Sequence, residues 1–174
     1  MKIRTLFIIA FLYISSTAAF AQTKLEEEDI IEYNQLYLSN KKSNIKFADL
    51  KTSSIIKLLG KPIKIKKEKW ETNNADVVKT YVYTNGEIVF EDNVLSFIDV
   101  NRSGWAFTFK IKNKFTRAFT VGSKVDELKQ LFPNSWAHHK NNIIRVQIGS
   151  LDSAIVFSIS GSVITQVSLF TDES

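Results

Sequence analysis

Tyr81 to Val100, YVYTNGEIVFEDNVLSFIDV, constrains the fold more than any other stretch. Runs of valine, isoleucine and aromatic residues are broken at Thr84-Asn85-Gly86 and at Glu91-Asp92-Asn93. Such runs fill pleated faces, and Asn-Gly supplies the positive φ of a tight hairpin, so the spacing predicts an antiparallel meander. A related pattern returns from Ala154 to Val167, and Ile-Val-Phe occurs at 88–90 and again at 155–157. Each copy is followed by a polar turn and another apolar run. The chain therefore reads as two similar halves.

Helical spacing precedes strand spacing in both. Ile30, Tyr33, Leu36 and Tyr37 predict a helix over Asp29 to Leu38, with acidic residues at its start, and a strand is the alternative for its Tyr-Leu end. A second helix is expected over Ala48 to Leu59, capped by Ser53 or Ser54 and closed by Gly60 and Pro62. In the second half Ser123 is a plausible N-cap for a helix carrying Val125, Leu128, Leu131 and Phe132, which Pro133-Asn134-Ser135 ends. Trp105 to Ile111 alternates as a strand, with Trp105, Phe107, Phe109 and Ile111 on one face suited to packing on a helix or second sheet. Ile143 to Ile148, Ala154 to Ile159 and Val163 to Phe170 are the last strand candidates.

Helices followed by antiparallel strands, used twice, predict an α+β fold: two similar helix-plus-antiparallel-sheet units packed as a two-layer body. The units are placed at 22–117 and 118–174, behind a signal peptide at 1–21. That leader is read from basic Lys2 and Arg4, the apolar run from Leu6, and Ala19-Phe20-Ala21 as a cleavage site. The expected location is thus exported, periplasmic or secreted. No later apolar run approaches twenty residues, so no transmembrane segment is expected after cleavage.

Composition narrows the function classes. The chain has no cysteine, which excludes a disulfide scaffold, a thiol nucleophile and a lipidated cysteine. Of 23 Lys and Arg, two lie in the leader, leaving 21 against 18 Asp and Glu. That small excess, in an exported chain without a recognition motif, argues against nucleic acid.

No catalytic, metal or cofactor site is read. Adjacent His138 and His139 would point to opposite faces of a strand, with no carboxylate nearby to complete a metal set. Glu91 and Asp92 are simplest as turn residues. Candidates for partner binding are the boundary tryptophans Trp70 and Trp136, Tyr81 and Tyr83, and the lysines Lys64 and Lys66. A second basic run comprises Lys110, Lys112, Lys114 and Arg117, and either run could meet an anionic partner. The phenylalanines at 90, 97, 107, 109 and 157 are expected in the core.

Leu59-Gly60-Lys61-Pro62 as a helix end, and Gly122-Ser123-Lys124-Val125-Asp126-Glu127-Leu128 as a helix start before a meander, carry a family likeness. The chain resembles the β-lactamase-inhibitor-protein-like fold and the related small outer-membrane assembly lipoproteins. The resemblance implies action by offering a sheet face or loops to another protein, and it assigns no inhibitor residue here. The leading expectation is an exported, non-enzymatic binding protein engaging a protein or envelope component. The alternative is a small exported hydrolase or ligand carrier with a site between the halves, for which a pocket uniting two or more of Asp92, Asp99, His138, His139 and Arg145 would speak.

Overall fold

The computed structural model describes residues 28–69, 77–149 and 153–171. The leader and Trp70 lie outside the described residues. The predicted meander is present as β5 (Val77–Tyr83), β6 (Gly86–Glu91) and β7 (Val94–Val100), extended outward by β4 (Lys64–Lys69). Its counterpart is β10 (Ile143–Ile148), β11 (Ala154–Ser160) and β12 (Val163–Phe170), flanked by the two-residue β1 (Ile30–Ile31).

These strands do not form two separate sheets. They join as one eight-stranded sheet in the order β1-β10-β11-β12-β7-β6-β5-β4, in which β1 runs parallel to β10 and every other pair is antiparallel. The seam is β12 on β7, with Val167 opposite Val100 and Phe170 opposite Phe97. A second, four-stranded sheet contains β2 (Leu36–Ser39), β3 (Asn44–Lys46), β8 (Ala106–Ile111) and β9 (Lys114–Phe115), in the order β3-β2-β8-β9. Helices are short: α1 (Thr52–Leu59), α2 (Asp126–Leu131) and α3 (Pro133–Ala137).

The expected α+β body of two helix-plus-sheet units is therefore corrected to a mostly β molecule built on a large mixed sheet and a smaller one. One reason lies at residues 29–38, which the spacing predicts as a helix. They form β1, a 3₁₀ turn over Tyr33–Gln35, and β2. Leu36 and Leu38 share a strand face and are both fully buried opposite Phe109 and Phe107. The aromatic strand β8 needs a backbone partner as well as a packing partner, and β2 supplies both.

The core is the space between the large sheet and what lies on its inner face. Register brings Tyr81, Ile88, Ile98, Leu169, Ile155 and Val146 into one cross-strand row, all buried. Burying each such side chain contributes about 1.5–3 kcal/mol. The layers meet through aromatic rings, with Tyr83 on Trp105 at 5.0 Å, Phe109 on Phe132 at 5.1 Å and Phe119 on Phe157 at 6.0 Å. Ile55 and Leu58 of α1 and Leu128 of α2 complete the cluster.

Turn chemistry holds the strands in register. The pairs Asp92-Asn93, Lys112-Asn113 and Asn141-Asn142 have positive φ at both residues, as two-residue hairpins require. Gly86 serves differently, because a Cβ there would sit 1.8 Å from the Asp99 carbonyl oxygen. Gly60 closes α1 as expected, with φ 86° and its N–H donating to the Ile56 carbonyl at 2.9 Å. α2 ends at Leu131, just ahead of Pro133 as expected, but Pro133 also opens α3, in whose first turn a missing N–H costs nothing.

Candidate functional site

Side chains on the other face of the large sheet form two further cross-strand rows. One runs Lys66, Thr80, Val89, Phe97, Phe170, Ala154 and Gln147. The next runs Lys64, Val82, Glu87, Asp99, Ser168, Val156 and Arg145. Most of the apolar members are half-buried by one another, and Phe170 is 46% exposed. That graded exposure is what a sheet face open to solvent produces.

The centre of this face is the seam. The rings of Phe97 and Phe170 lie 4.9 Å apart, tilted at 46°. Beside them Asp99 is buried, and its Oδ1 accepts hydrogen bonds from the Gln166 amide and the Ser168 hydroxyl, each at 2.7 Å. Alternation alone places Phe97 with Leu95 in the core. A β-bulge between Val89 and Phe90 pairs Phe90 with Leu95 and Val89 with Phe97, so Ser96 is the extra residue and Phe97 turns outward.

The candidate partner-binding residues separate in space. Lys64 and Lys66 are exposed at one end of the outer rows. Tyr81 and Tyr83 point the other way and are buried in the core, so neither presents its ring to a partner. Among the described residues the Tyr83 hydroxyl has no hydrogen-bond partner; burial, with Tyr81 adding to it, pushes its pKa up to about 12. Trp136 lies on α3 at the opposite end of the sheet. It is half-buried, with the His139 ring 4.8 Å away and Lys129 Nζ 5.1 Å from its centre.

The alternative site residues divide as well. Asp92 sits in the β6–β7 turn, where its Oδ1 accepts the Val77 N–H at 3.0 Å. Seven residues of strand, about 20 Å, separate it from Asp99. His138, His139 and Arg145 do come together, in a recess of about 550 Å³ with Glu28, Ser135 and Lys140. That recess lies at the β1–β10 end, away from the seam between the halves. Glu28 pairs with Arg145. His138 Nδ1 bonds the Asn134 carbonyl at 2.7 Å and His139 Nδ1 the Trp136 carbonyl. A carbonyl only accepts, so both rings donate through Nδ1 and cap the open end of α3. Ser135 Oγ accepts the Asp29 N–H at 3.0 Å, while the Asp29 carboxylate accepts the Ser135 N–H at 2.8 Å. These reciprocal bonds tie the first turn of α3 to the chain entering β1.

A second recess, of about 370 Å³, lies on the outer face of the small sheet and is lined by Asn34, Gln35, Tyr37, Lys46, Lys110, Lys112 and Asn113. The basic run from Lys110 is legible in sequence, but Lys46 joins it only through the pairing of β3 and β8 on either side of β2.

Among the described residues no group of three or more His, Asp or Glu could hold a metal ion, and no helix is long and apolar enough to cross a membrane. Searches of protein-family models, of curated proteins and of solved structures find nothing that matches this chain.

Proposed function

We propose that this chain is an exported, non-enzymatic binding protein whose working surface is the outer face of the large sheet. Its partner is a protein with an apolar centre to cover Phe97 and Phe170 and with carboxylates opposite Lys64 and Lys66. The observation that carries this is the outward Phe97–Phe170 pair at the seam. A β-bulge turns the large Phe97 ring to the open face, leaving an aromatic anchor of the kind found at the centre of interfaces. Exposed lysines at the end of the same rows add charge selectivity and raise the encounter rate.

Site-specific photo-crosslinking in the producing cells tests this, with the probe at Val89, at Phe97, or at exposed Lys57 of α1 as a control. One discrete protein adduct is expected from the first two positions and not from the third. It should be lost on Lys64→Glu with Lys66→Glu. An adduct of twice the chain mass would mean that the face meets a second copy instead. Equal labelling from Lys57, or none from Val89 and Phe97, would sink the assignment. Export is tested separately: the mature protein should begin at Gln22.

The recess at His138, His139 and Arg145 favours one second reading, a ligand carrier working at the β1–β10 end. It predicts a small molecule co-purifying with the protein and lost from a His138→Gln, His139→Gln variant.

A further inference from the structure

We infer that the recess on the outer face of the small sheet is a binding site for a phosphoryl group. Three lysines line it: Lys110 of β8 and Lys112 of the adjoining β8–β9 turn, joined by Lys46 from β3. Strand pairing places them together. Lys46 lies opposite Tyr37, Tyr37 opposite Thr108, and Lys110 opposite Phe115, so these side chains share the face turned away from Leu36, Leu38, Phe107 and Phe109.

Charge balance makes the cluster unusual. No carboxylate lines the recess, and among the described residues none of the three ammonium groups has an ion-pair partner. Lys46 and Lys110 are half-buried on the sheet and Lys112 is exposed in the turn. An anion carrying two or more negative charges would balance positive charges gathered around one recess and accept hydrogen bonds from each ammonium. The remaining lining suits oxygen acceptors: the amides of Asn34, Gln35 and Asn113 and the Tyr37 hydroxyl are uncharged donors. A volume of about 370 Å³ exceeds what a bare ion needs and accommodates a phosphoryl group on a small polyol.

Two details support a built site. The turn residue Lys112 has φ 48°, whereas the other two-residue hairpins with positive φ at both positions carry Asp-Asn and Asn-Asn. Lysine is the less comfortable choice there on backbone grounds, so its side chain, not its turn propensity, accounts for it. Phe115 is 52% exposed beside the recess, with Lys110 Nζ 5.9 Å from its ring centre and Tyr37 packed edge-on at 5.0 Å. An apolar ring bordered by lysines suits a ligand with a carbon skeleton attached to its phosphate. The same group could come from a soluble phosphate ester or from a phospholipid headgroup, where Phe115 would enter the interface.

The test titrates the exported protein with glycerol 3-phosphate and with pyrophosphate by calorimetry. In parallel it is sedimented with phosphatidylcholine vesicles with and without phosphatidylglycerol. Binding should weaken about tenfold for each lysine removed in Lys46→Gln and Lys110→Gln, and it should fall as salt is raised. The Lys57→Gln variant, equal in charge change and outside the lining of the recess, should bind as wild type. Lys112→Glu, confined to an exposed turn, repeats the test without touching the sheet. Saturation by the soluble esters assigns a small-molecule site, and binding only to vesicles containing phosphatidylglycerol assigns a headgroup site. No binding in either arm, or binding that Lys46→Gln, Lys110→Gln and Lys112→Glu leave unchanged, overturns the inference.

Discussion

The two ends of the large sheet solve one problem in opposite ways. At one end β4, sequence KIKKEK, runs six residues and continues the antiparallel meander. Its outer side carries Lys64 and Lys66, and on its other side Ile65 is 46% exposed where its row neighbour Tyr81 is buried. At the other end β1 is two residues long, parallel to β10, and pinned by the reciprocal Asp29–Ser135 bonds to α3. Ile31 there is 3% exposed. An unpaired edge invites another strand, and proteins blunt it with charge or with brevity. Here each end uses one of the two devices. The inner layer stops short of β4, so the apolar pattern of that strand does not by itself make it core.

The largest effect should come from placing a charge under the cover and beyond it. Val146→Lys, in the fully buried row of β10, is expected to cost about 5 kcal/mol or more and to prevent folding. Ile65→Lys on β4 should change stability by only about 0.5 kcal/mol in urea unfolding. Similar losses for both would mean that β4 is covered after all. Next in size are the repeated tripeptides: Phe90→Ala and Phe157→Ala should each cost about 3–5 kcal/mol, since both rings are buried in the same relation to their seam. A large gap between them would break the equivalence of the halves.

Smaller effects sharpen the contrast at the ends. Asp29→Ala removes the carboxylate that accepts the Ser135 N–H in the first turn of α3, and should cost about 0.5–2 kcal/mol, as the loss of a helix cap does. Hydrogen exchange should rise in β1 and α3 and stay unchanged in β4. The smallest change is expected from Tyr83→Phe, which removes a buried hydroxyl without a partner among the described residues and should leave stability equal or slightly higher. The folded-state pKa of Tyr83 is raised, so the unfolded chain ionises first. Stability is then unaffected by this group below about pH 10 and declines from there to about pH 12. In Tyr83→Phe that decline should be shallower, and an identical alkaline profile in both proteins would contradict the burial of the hydroxyl.

Much of this was legible because it is local. Asp92-Asn93 and Asn141-Asn142 adopt their turns from their own side chains, Gly60 closes α1 because it lacks a Cβ, and the strands between these turns follow. The helix expected at 29–38 failed because Ile30, Tyr33, Leu36 and Tyr37 fit helical spacing while Leu36 and Leu38 equally fit a strand. The deciding partner, β8, lies some seventy residues away. Phe97 was misplaced because alternation assumes an unbroken ladder, and the bulge is a property of two strands together. Tyr81 and Tyr83 were likewise undecidable as surface or core until the fold set Phe90 against Tyr81 and Trp105, just ahead of β8, against Tyr83.

The sequence by itself determined the turns of the central meander, the end of α1 and the basic run from Lys110, since each depends on residues within a few positions of one another, and composition alone determined the absence of thiol chemistry. Only the tertiary structure decided that the halves share one sheet, that Phe97 and Phe170 meet on its open face, and that Lys46 joins Lys110 and Lys112 around a single recess. Pairing and burial are settled between distant strands, by backbone hydrogen bonds that must be satisfied and apolar faces that must be covered, and no local pattern carries that information.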